Sequence, residues 1–152
     1  MTFYMRPNWF ARRVANPALQ FVVTRLGLGQ RKTYVLEVKG RKTGEPRQIP
    51  VNVLNFEGKS YLIAPRGTTE WVRNLRASGQ GALLRGGKRV PITANEVPAS
   101  ERAPMLQRYL RENSASAGSY FDVRGPEAPL SEFERIAEKH PVFIYAEDAA
   151  RD

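Results

Sequence analysis

The chain has 152 residues, which is the size of a single domain and enough to bury a core of its own. It contains no cysteine and only one histidine, which excludes disulfides, a cysteine nucleophile, a multi-histidine zinc site and a Ser-His triad that does not use His140. The net charge of +9 predicts a negatively charged partner, which can be nucleic acid, anionic lipid or a polyanionic small molecule.

The N-terminal residues predict helices, and the rest of the chain predicts mainly strands. Asn8 to Ala15 and Pro17 to Leu26 have helical patterning, and Asn16 is a suitable N-cap for the second helix. From Tyr34 onward, β-branched residues and glycine turns predict about six strands: Tyr34 to Val38, Ile49 to Phe56, Ser60 to Ala64, Gly81 to Arg85, Lys88 to Glu96 and Pro141 to Ala146.

Short helices are predicted between these strands. They are Glu70 to Ala77 with Thr69 as its cap, Pro98 to Asn113, and a helix opened by the capping box Ser131-Glu132-Phe133-Glu134. The small residues of Ser114 to Gly118 predict a flexible loop before Tyr120 and Phe121.

This order of elements favours a small β-barrel over an alternating β-α-β sheet. We therefore expect an α+β fold with a barrel of about six antiparallel strands at residues 31–147. A basic helical segment at residues 1–30 would precede it, and residues 148–152 would form a tail.

The most informative stretch is Gly40 to Val51, GRKTGEPRQIPV, between two predicted strands. Two glycines bracket three polar residues, so the connection can turn tightly and leave backbone N–H groups free to face an anion. Arg41, Lys42 and Arg47 add three cationic side chains, which suit phosphate or carboxylate. The spacing is not that of a Walker loop. A solvated basic hairpin tip has the same local chemistry, so this pattern alone leaves both interpretations open.

The stretch resembles the GRKSGxPRxxPL signature of the deazaflavin (F420)-dependent nitroreductase family, which belongs to the split β-barrel superfamily of flavin- and deazaflavin-binding proteins. The similarity continues through YLIAPRG at Tyr61 to Gly67 and through WVRNLRA at Trp71 to Ala77, which resembles the family's WYxNLxANP helix. Three motifs in this order are far more specific than any one alone. The resemblance implies an F420-dependent oxidoreductase that transfers a hydride from the reduced deazaflavin to a quinone, nitroaromatic or activated alkene.

The resemblance also implies a role for each part of the site, and it implies no metal. The residues implied to hold the phosphate and oligoglutamate tail of F420 are Gly40, Arg41, Lys42, Thr43 and Arg47. Pro50 and Val51 are implied to lie near the ring system. The opposing wall is implied to contain Ala64, Arg66 and Gly67, and the helix over the cofactor to be positioned by Trp71 and Asn74. Tyr120 lies where relatives place substrate-facing tyrosines, so it would hydrogen-bond a developing anion, or alternatively only pack.

Two positions depart from the family pattern. Val72 stands where the family usually has an aromatic residue, and Arg66-Gly67-Thr68-Thr69 replaces a loop with a glycine pair, with Arg66 in place of the customary lysine. Neither change removes positive charge.

Other functions and locations are also compatible with parts of the sequence. A non-catalytic barrel could bind a fatty acid or haem, and an FMN-dependent enzyme could use the same fold. Nucleic acid is not expected, because aromatics are not interleaved with the basic residues of the Gly40 loop. We expect a cytoplasmic protein. Its N-terminal Arg12, Arg13, Trp9 and Phe10 suit contact with anionic lipid, or an apolar face that caps the barrel.

Overall fold

The computed structural model describes residues 33–148, so the predicted N-terminal helices and most of the predicted tail lie outside the described residues. The strands within this range are β1 (Thr33–Lys39), β2 (Pro46–Phe56), β3 (Lys59–Ile63), β4 (Gln80–Arg85), β5 (Lys88–Glu96) and β6 (Val142–Glu147). The helices are α1 (Glu70–Ser78), α2 (Ala103–Glu112), α3 (Ser114–Ala117) and α4 (Leu130–Ile136). Single 3₁₀ turns lie at Ala99–Glu101, Gly118–Tyr120 and Ala137–Lys139.

The strands of the described range close into a barrel in the order β1-β2-β3-β6-β5-β4, and each neighbouring pair is antiparallel. β1 pairs with β2 along its whole length, but it pairs with β4 only from Val35 to Glu37. β1 and β4 therefore separate beyond Glu37, while β1 remains paired with β2. The predicted α+β barrel of about six antiparallel strands is confirmed.

Alternation along the strands divides the core into two clusters. In β2, Val51 and Val53 belong to an inner cluster that draws on all six strands of the barrel and on α1. Leu54 of the same strand belongs to an outer cluster, in which α2 and α4 pack on the outside of β2, β3 and β6. Side chains of a strand point to opposite faces in turn, so one strand can serve both clusters.

Two predicted helices differ from the structure. The segment predicted as one helix over Pro98 to Asn113 is a 3₁₀ turn followed by α2, and Pro104 lies in the first turn of α2, where its missing N–H costs nothing. The capping box at Ser131 was wrong. The N-cap position of α4 lies two residues earlier, at Pro129, and it has no side-chain cap. Ser131 therefore lies in the first turn of α4 and cannot form the box with Glu134.

The Ser114 to Gly118 segment, predicted as a flexible loop, is helical. Ala117 is buried in the outer cluster, and its N–H donates to the Asn113 carbonyl at 2.8 Å. The burial of Ala117 stabilises α3. This tertiary contact cannot be predicted from the local sequence.

Candidate functional site

A cavity of about 310 Å³ opens at one end of the barrel, between the β1–β2 hairpin and the N-terminus of α1. Its lining residues come from the hairpin and from α1 with the loop before it: Val38, Gly40, Arg41, Lys42, Thr43, Arg47, Gln48, Ile49, Arg66, Thr69, Glu70, Trp71 and Asn74. The volume lies at the lower end of the roughly 300–1,000 Å³ typical of small-molecule pockets.

The hairpin loop closes on itself through its own backbone. The N–H of Gly40 donates to the Glu45 carbonyl and the N–H of Gly44 donates to the Gly40 carbonyl, each at 2.8 Å. Gly44 has φ +76°, a left-handed conformation that favours glycine. A Cβ atom on Gly40 would come within 3.0 Å of Thr43 Oγ1. The expectation that the loop leaves its amides free for an anion is therefore wrong for these two N–H groups, because they hold the loop closed.

Arg41 is fixed to α1 by Asn74. Its backbone N–H and its Nη1 both donate to Asn74 Oδ1, at 3.0 and 2.9 Å. The Asn74 side chain is buried, while Arg41 reaches the surface. The cationic loop is therefore held in one position relative to the helix before any ligand arrives.

Glu70 is the acidic residue of the cavity lining, and two arginines offset its charge. Its Oε2 lies 3.4 Å from Arg41 Nη2 and 3.1 Å from Arg73 Nη1. Burial alone would raise the pKa of Glu70, but the hydrogen bonds and charges of Arg73 and Arg41 lower it below its ordinary value. Glu70 is therefore ionised at neutral pH and partly neutralised within the site.

Lys42 and Arg47 line the cavity with positive charge that no described acidic side chain neutralises. Both are exposed, and among residues 33–148 neither forms an ion pair with an acidic residue. With Arg41 and Arg66, the lining carries four permanent cations against the single carboxylate of Glu70. Such a lining attracts phosphate and carboxylate groups.

The inner part of the cavity is apolar. Val38 is buried, Ile49 is half-buried against the inner cluster, and the Trp71 side chain is only 7% exposed. The Trp71 ring packs on Phe143 with the ring centroids 6.0 Å apart and a tilt of 48°. An apolar floor below a cationic rim suits a flat ring system with an anionic tail.

The sequence matches the F420H(2)-dependent quinone reductase family over residues 12–124. The chain belongs to this family. It is therefore an F420H₂-dependent reductase, and its cofactor is F420. A comparison with curated protein sequences finds no match.

Solved structures support the fold of this F420H₂-dependent reductase. The "F420-H2 Dependent Reductase (FDR-A)" is 21% identical with a TM-score of 0.51 and matches 76% of this chain and 95% of its own. A structure described as a domain-swapped dimer is 21% identical with a TM-score of 0.52, over 89% and 96% of the two chains. A NimC/NimA family protein from Clostridium acetobutylicum is 12% identical with a TM-score of 0.50, over 75% and 73%.

Four residues that the family resemblance assigns to the cofactor site are not in the cavity lining. Val51 points into the inner cluster, and Pro50 faces Val35 across the β1–β2 pair. Ala64 is buried and its N–H donates to the Pro141 carbonyl at 2.9 Å. Gly67 is buried with φ +92° in the loop before α1. They lie beside residues that do line the cavity.

Sequence reasoning missed five lining residues: Val38, Gln48, Ile49, Thr69 and Glu70. The period of two along β2 could have indicated Ile49, because Ile49 shares a face with Val51 and Val53. Gln48 and Val38 flank the hairpin loop and follow from the register of β1 and β2. Thr69 and Glu70 line the cavity because α1 begins there, and the sequence indicated only the helix start.

Tyr120 lies on the outside of the barrel and is not in the cavity lining. It is half-buried against the outer cluster, at the end of the 3₁₀ turn before Phe121. The neighbouring Tyr109 is buried, and its hydroxyl accepts from Asn52 Nδ2 at 2.7 Å. Burial raises the pKa of Tyr109 to about 12, so this phenol stays protonated.

His140 joins the cavity loop to the Tyr120 segment. Its Nδ1 lies 2.9 Å from the Pro65 carbonyl oxygen, next to Arg66, and its ring centroid is 4.5 Å from that of Phe121. The side chain is 1% exposed. Burial lowers the pKa of His140 to about 4, so the imidazole is neutral at neutral pH and its Nδ1–H donates to Pro65.

No helix within residues 33–148 is long and apolar enough to cross a membrane. In the same range, no group of three or more His, Cys, Asp or Glu side chains is placed to hold a metal ion.

Proposed function

We propose that this reductase transfers a hydride from reduced F420 to a small organic acceptor, namely a quinone, nitroaromatic or activated alkene. The observation that carries the proposal is a cavity with a cationic rim and an apolar floor, built by the motifs that resemble the F420-dependent family. F420 combines a flat ring system with a phosphate and an oligoglutamate tail, and each part matches one side of this cavity.

The rim would hold the anionic part of the cofactor. Lys42 and Arg47 can reach phosphate or carboxylate oxygens without first breaking an ion pair with a described residue, and Arg47 can bind two oxygens at once. Thr43, Gly40 and Arg41 hold the loop in shape, because Thr43 Oγ1 accepts from the Glu45 N–H at 3.2 Å and Arg41 is tied to Asn74. The Arg66 side chain would close the opposite wall.

A micromolar affinity for F420 would require both the cationic rim and the apolar floor of the cavity. Two charge-assisted hydrogen bonds contribute roughly 1.5 to 3 kcal/mol each, whereas a Kd of about 1 μM corresponds to about −8.2 kcal/mol. Burial of about 100–200 Å² of ring surface on Trp71, Ile49 and Val38, at about 25 cal/mol per Å², would supply the difference before ordering costs. Neither the rim nor the floor alone accounts for micromolar affinity.

The deazaflavin supplies the hydride chemistry when it is bound. The chain's contribution is to position the ring against the acceptor and to exclude water from it. Trp71 and Asn74 fix α1 over the cavity, while Pro50, Val51, Ala64 and Gly67 shape the strands and loop beside it. Tyr120 lies outside the cavity lining, so it would donate a hydrogen bond to the acceptor oxygen only where the acceptor extends beyond the cavity toward the outer cluster.

Fluorescence titration of the purified protein with F420, FMN and haem tests the proposal. We expect F420 to bind more tightly than FMN, because Lys42 and Arg47 match its longer polyanionic tail. The tail-less core of the cofactor should bind more weakly than the full-length form. Equal affinity for the core and the full-length form would refute the tail site, and tighter binding of haem or FMN would favour the alternative ligands.

We also propose that residues 1–30 form a basic segment separate from the barrel domain of residues 31–147. Residues 1–32 contain six basic and no acidic residues, which favours contact with an anionic membrane surface. Deletion of residues 1–30 should then reduce sedimentation with anionic vesicles while the barrel keeps its cooperative melt. An unfolded truncated protein would show that the segment caps the barrel instead.

A further inference from the structure

The N-terminus of α1 faces the cavity without a side-chain cap. Thr69 occupies the N-cap position with an extended backbone, but its hydroxyl makes no hydrogen bond to the helix. The N–H groups of Trp71 and Val72 belong to the first turn, which has no intrahelical acceptors, and no acceptor for them occurs within residues 33–148. This end of the nine-residue helix therefore presents donors whose hydrogen bonds are not made.

Thr69 adds an independent observation at the same place. Its side chain is 94% buried and forms part of the cavity wall. Within the described residues, Thr69 Oγ1 is the buried side-chain atom that has no hydrogen-bond partner. Buried polar groups in native proteins are nearly always hydrogen-bonded, because an unmade bond keeps the full desolvation cost. A buried hydroxyl in a binding cavity therefore points to a partner that the ligand supplies.

We propose that Thr69 contacts the ligand, and that its hydroxyl donates a hydrogen bond to an oxygen of the molecule bound in the cavity. Under the function proposed above, on which this inference rests, that molecule is F420. Thr69 belongs to the Arg66 to Thr69 loop, which departs from the family pattern, so the contact would be a feature of this chain.

The surroundings select an acceptor oxygen. The neighbouring groups of the helix start are N–H donors, and the helix dipole favours negative charge at this end. Glu70 is the acidic neighbour, but its side chain is 66% exposed and its Oε2 is paired with Arg41 and Arg73. A carbonyl or phosphate oxygen therefore fits beside Thr69, whereas a donor group or a cation would not.

The test replaces the hydroxyl and keeps the shape. Thr69→Val removes the donor, Thr69→Ser retains it, and Thr68→Val is the matched control. Thr68 is also 6% exposed and adjacent in sequence, but it is not in the cavity lining. Kd is measured for F420 and for its tail-less core, and Tm is measured on the ligand-free variants.

We expect Thr69→Val to weaken F420 binding by about three- to tenfold, the equivalent of one neutral hydrogen bond. The ligand-free variant should melt at the same or a higher temperature than wild type, because a buried hydroxyl without a partner is replaced by a methyl group of similar size. Thr69→Ser and Thr68→Val should bind F420 as wild type does. A structural role would move stability and affinity in the same direction, so opposite movement distinguishes a ligand contact.

Comparison of the tail-less core with full-length F420 shows which part of the cofactor carries the oxygen that Thr69 contacts. An equal loss with the core and with full-length F420 supports a contact to the ring system, and a loss with full-length F420 alone supports a contact to the phosphate or tail. Unchanged affinity of Thr69→Val overturns the inference, as does a lower Tm of its ligand-free form, which would mean that the hydroxyl caps α1 or holds a water. A wild-type protein that does not bind F420 overturns the proposed function as well.

Discussion

Arg41 donates two hydrogen bonds to one atom of Asn74, from its backbone N–H at 3.0 Å and from its guanidinium at 2.9 Å. The two residues are 33 positions apart, so this contact joins the β1–β2 hairpin to α1 across the mouth of the cavity. The buried amide oxygen of Asn74 thereby determines where the cationic loop lies. Asn74 would therefore act on a bound cofactor through Arg41.

This arrangement predicts different outcomes for two substitutions. Asn74→Leu removes the acceptor of two hydrogen bonds from Arg41, each of which contributes about 0.5–1.5 kcal/mol, so the free energy of unfolding should fall by about 1–3 kcal/mol. Asn74→Asp keeps an acceptor and pairs with Arg41, so stability should be retained. The added negative charge should still weaken F420 binding by about tenfold, or 1.4 kcal/mol. Denaturant melts and cofactor titrations measure the two effects, and stronger binding by Asn74→Asp would contradict the argument.

Arg47→Ala should weaken F420 binding by roughly 1.5 to 3 kcal/mol and leave kcat at saturating cofactor nearly unchanged. The proposed contact would be present both before and during hydride transfer, so it would contribute uniform binding energy. Lys88→Ala is the matched control, because it removes the same charge at the exposed tip of the β4–β5 hairpin, outside the cavity lining. If both variants lose the same affinity, only net charge matters and the cavity rim has no special role.

Much of the barrel could be predicted from periodicity, because the alternation in β2 and the glycine turns are local signals. The hairpin loop and the helix over it could be located from their motifs. The Arg41–Asn74 contact could not, since it depends on the tertiary approach of α1 to the hairpin. The capping box at Ser131 fails for a different reason: α4 already begins at Leu130, so Ser131 lies inside the helix and cannot be its N-cap.

Tyr120→Phe should lower kcat with little change in the Kd for F420. The hydroxyl, if it bonds the acceptor oxygen, contributes more as charge develops in the transition state than in the ground state. Ser119→Ala is the neighbouring control, since it also removes a hydroxyl from the same 3₁₀ turn. Steady-state kinetics with reduced F420 and a quinone or nitroaromatic provide the measurement. A Tyr120→Phe enzyme with wild-type turnover would show that this ring only packs against the outer cluster.

His140 makes stability depend on pH in a defined window. Burial lowers the pKa of His140 from its ordinary value of 6.5 to about 4, opposed by the Pro65 and Ala64 carbonyls and assisted by the charges of Lys139 and Arg102. Between these two pH values the unfolded chain binds a proton at His140 and the folded protein does not. The free energy of unfolding should therefore fall as pH drops from about 6.5 to about 4, by about 3 kcal/mol in total.

His140→Phe isolates this contribution, because it retains a ring against Phe121 and cannot titrate. The substitution removes the hydrogen bond to the Pro65 carbonyl, so we expect it to be less stable than wild type at pH 7. As pH falls to about 4, wild type should lose stability that the variant does not lose, and the two curves should converge. Carboxylates that titrate in the same range are common to both proteins and cancel in the difference. Urea melts at half-unit steps of pH measure it, and a constant difference between pH 7 and pH 4 would mean that His140 has the same pKa in the folded and unfolded protein.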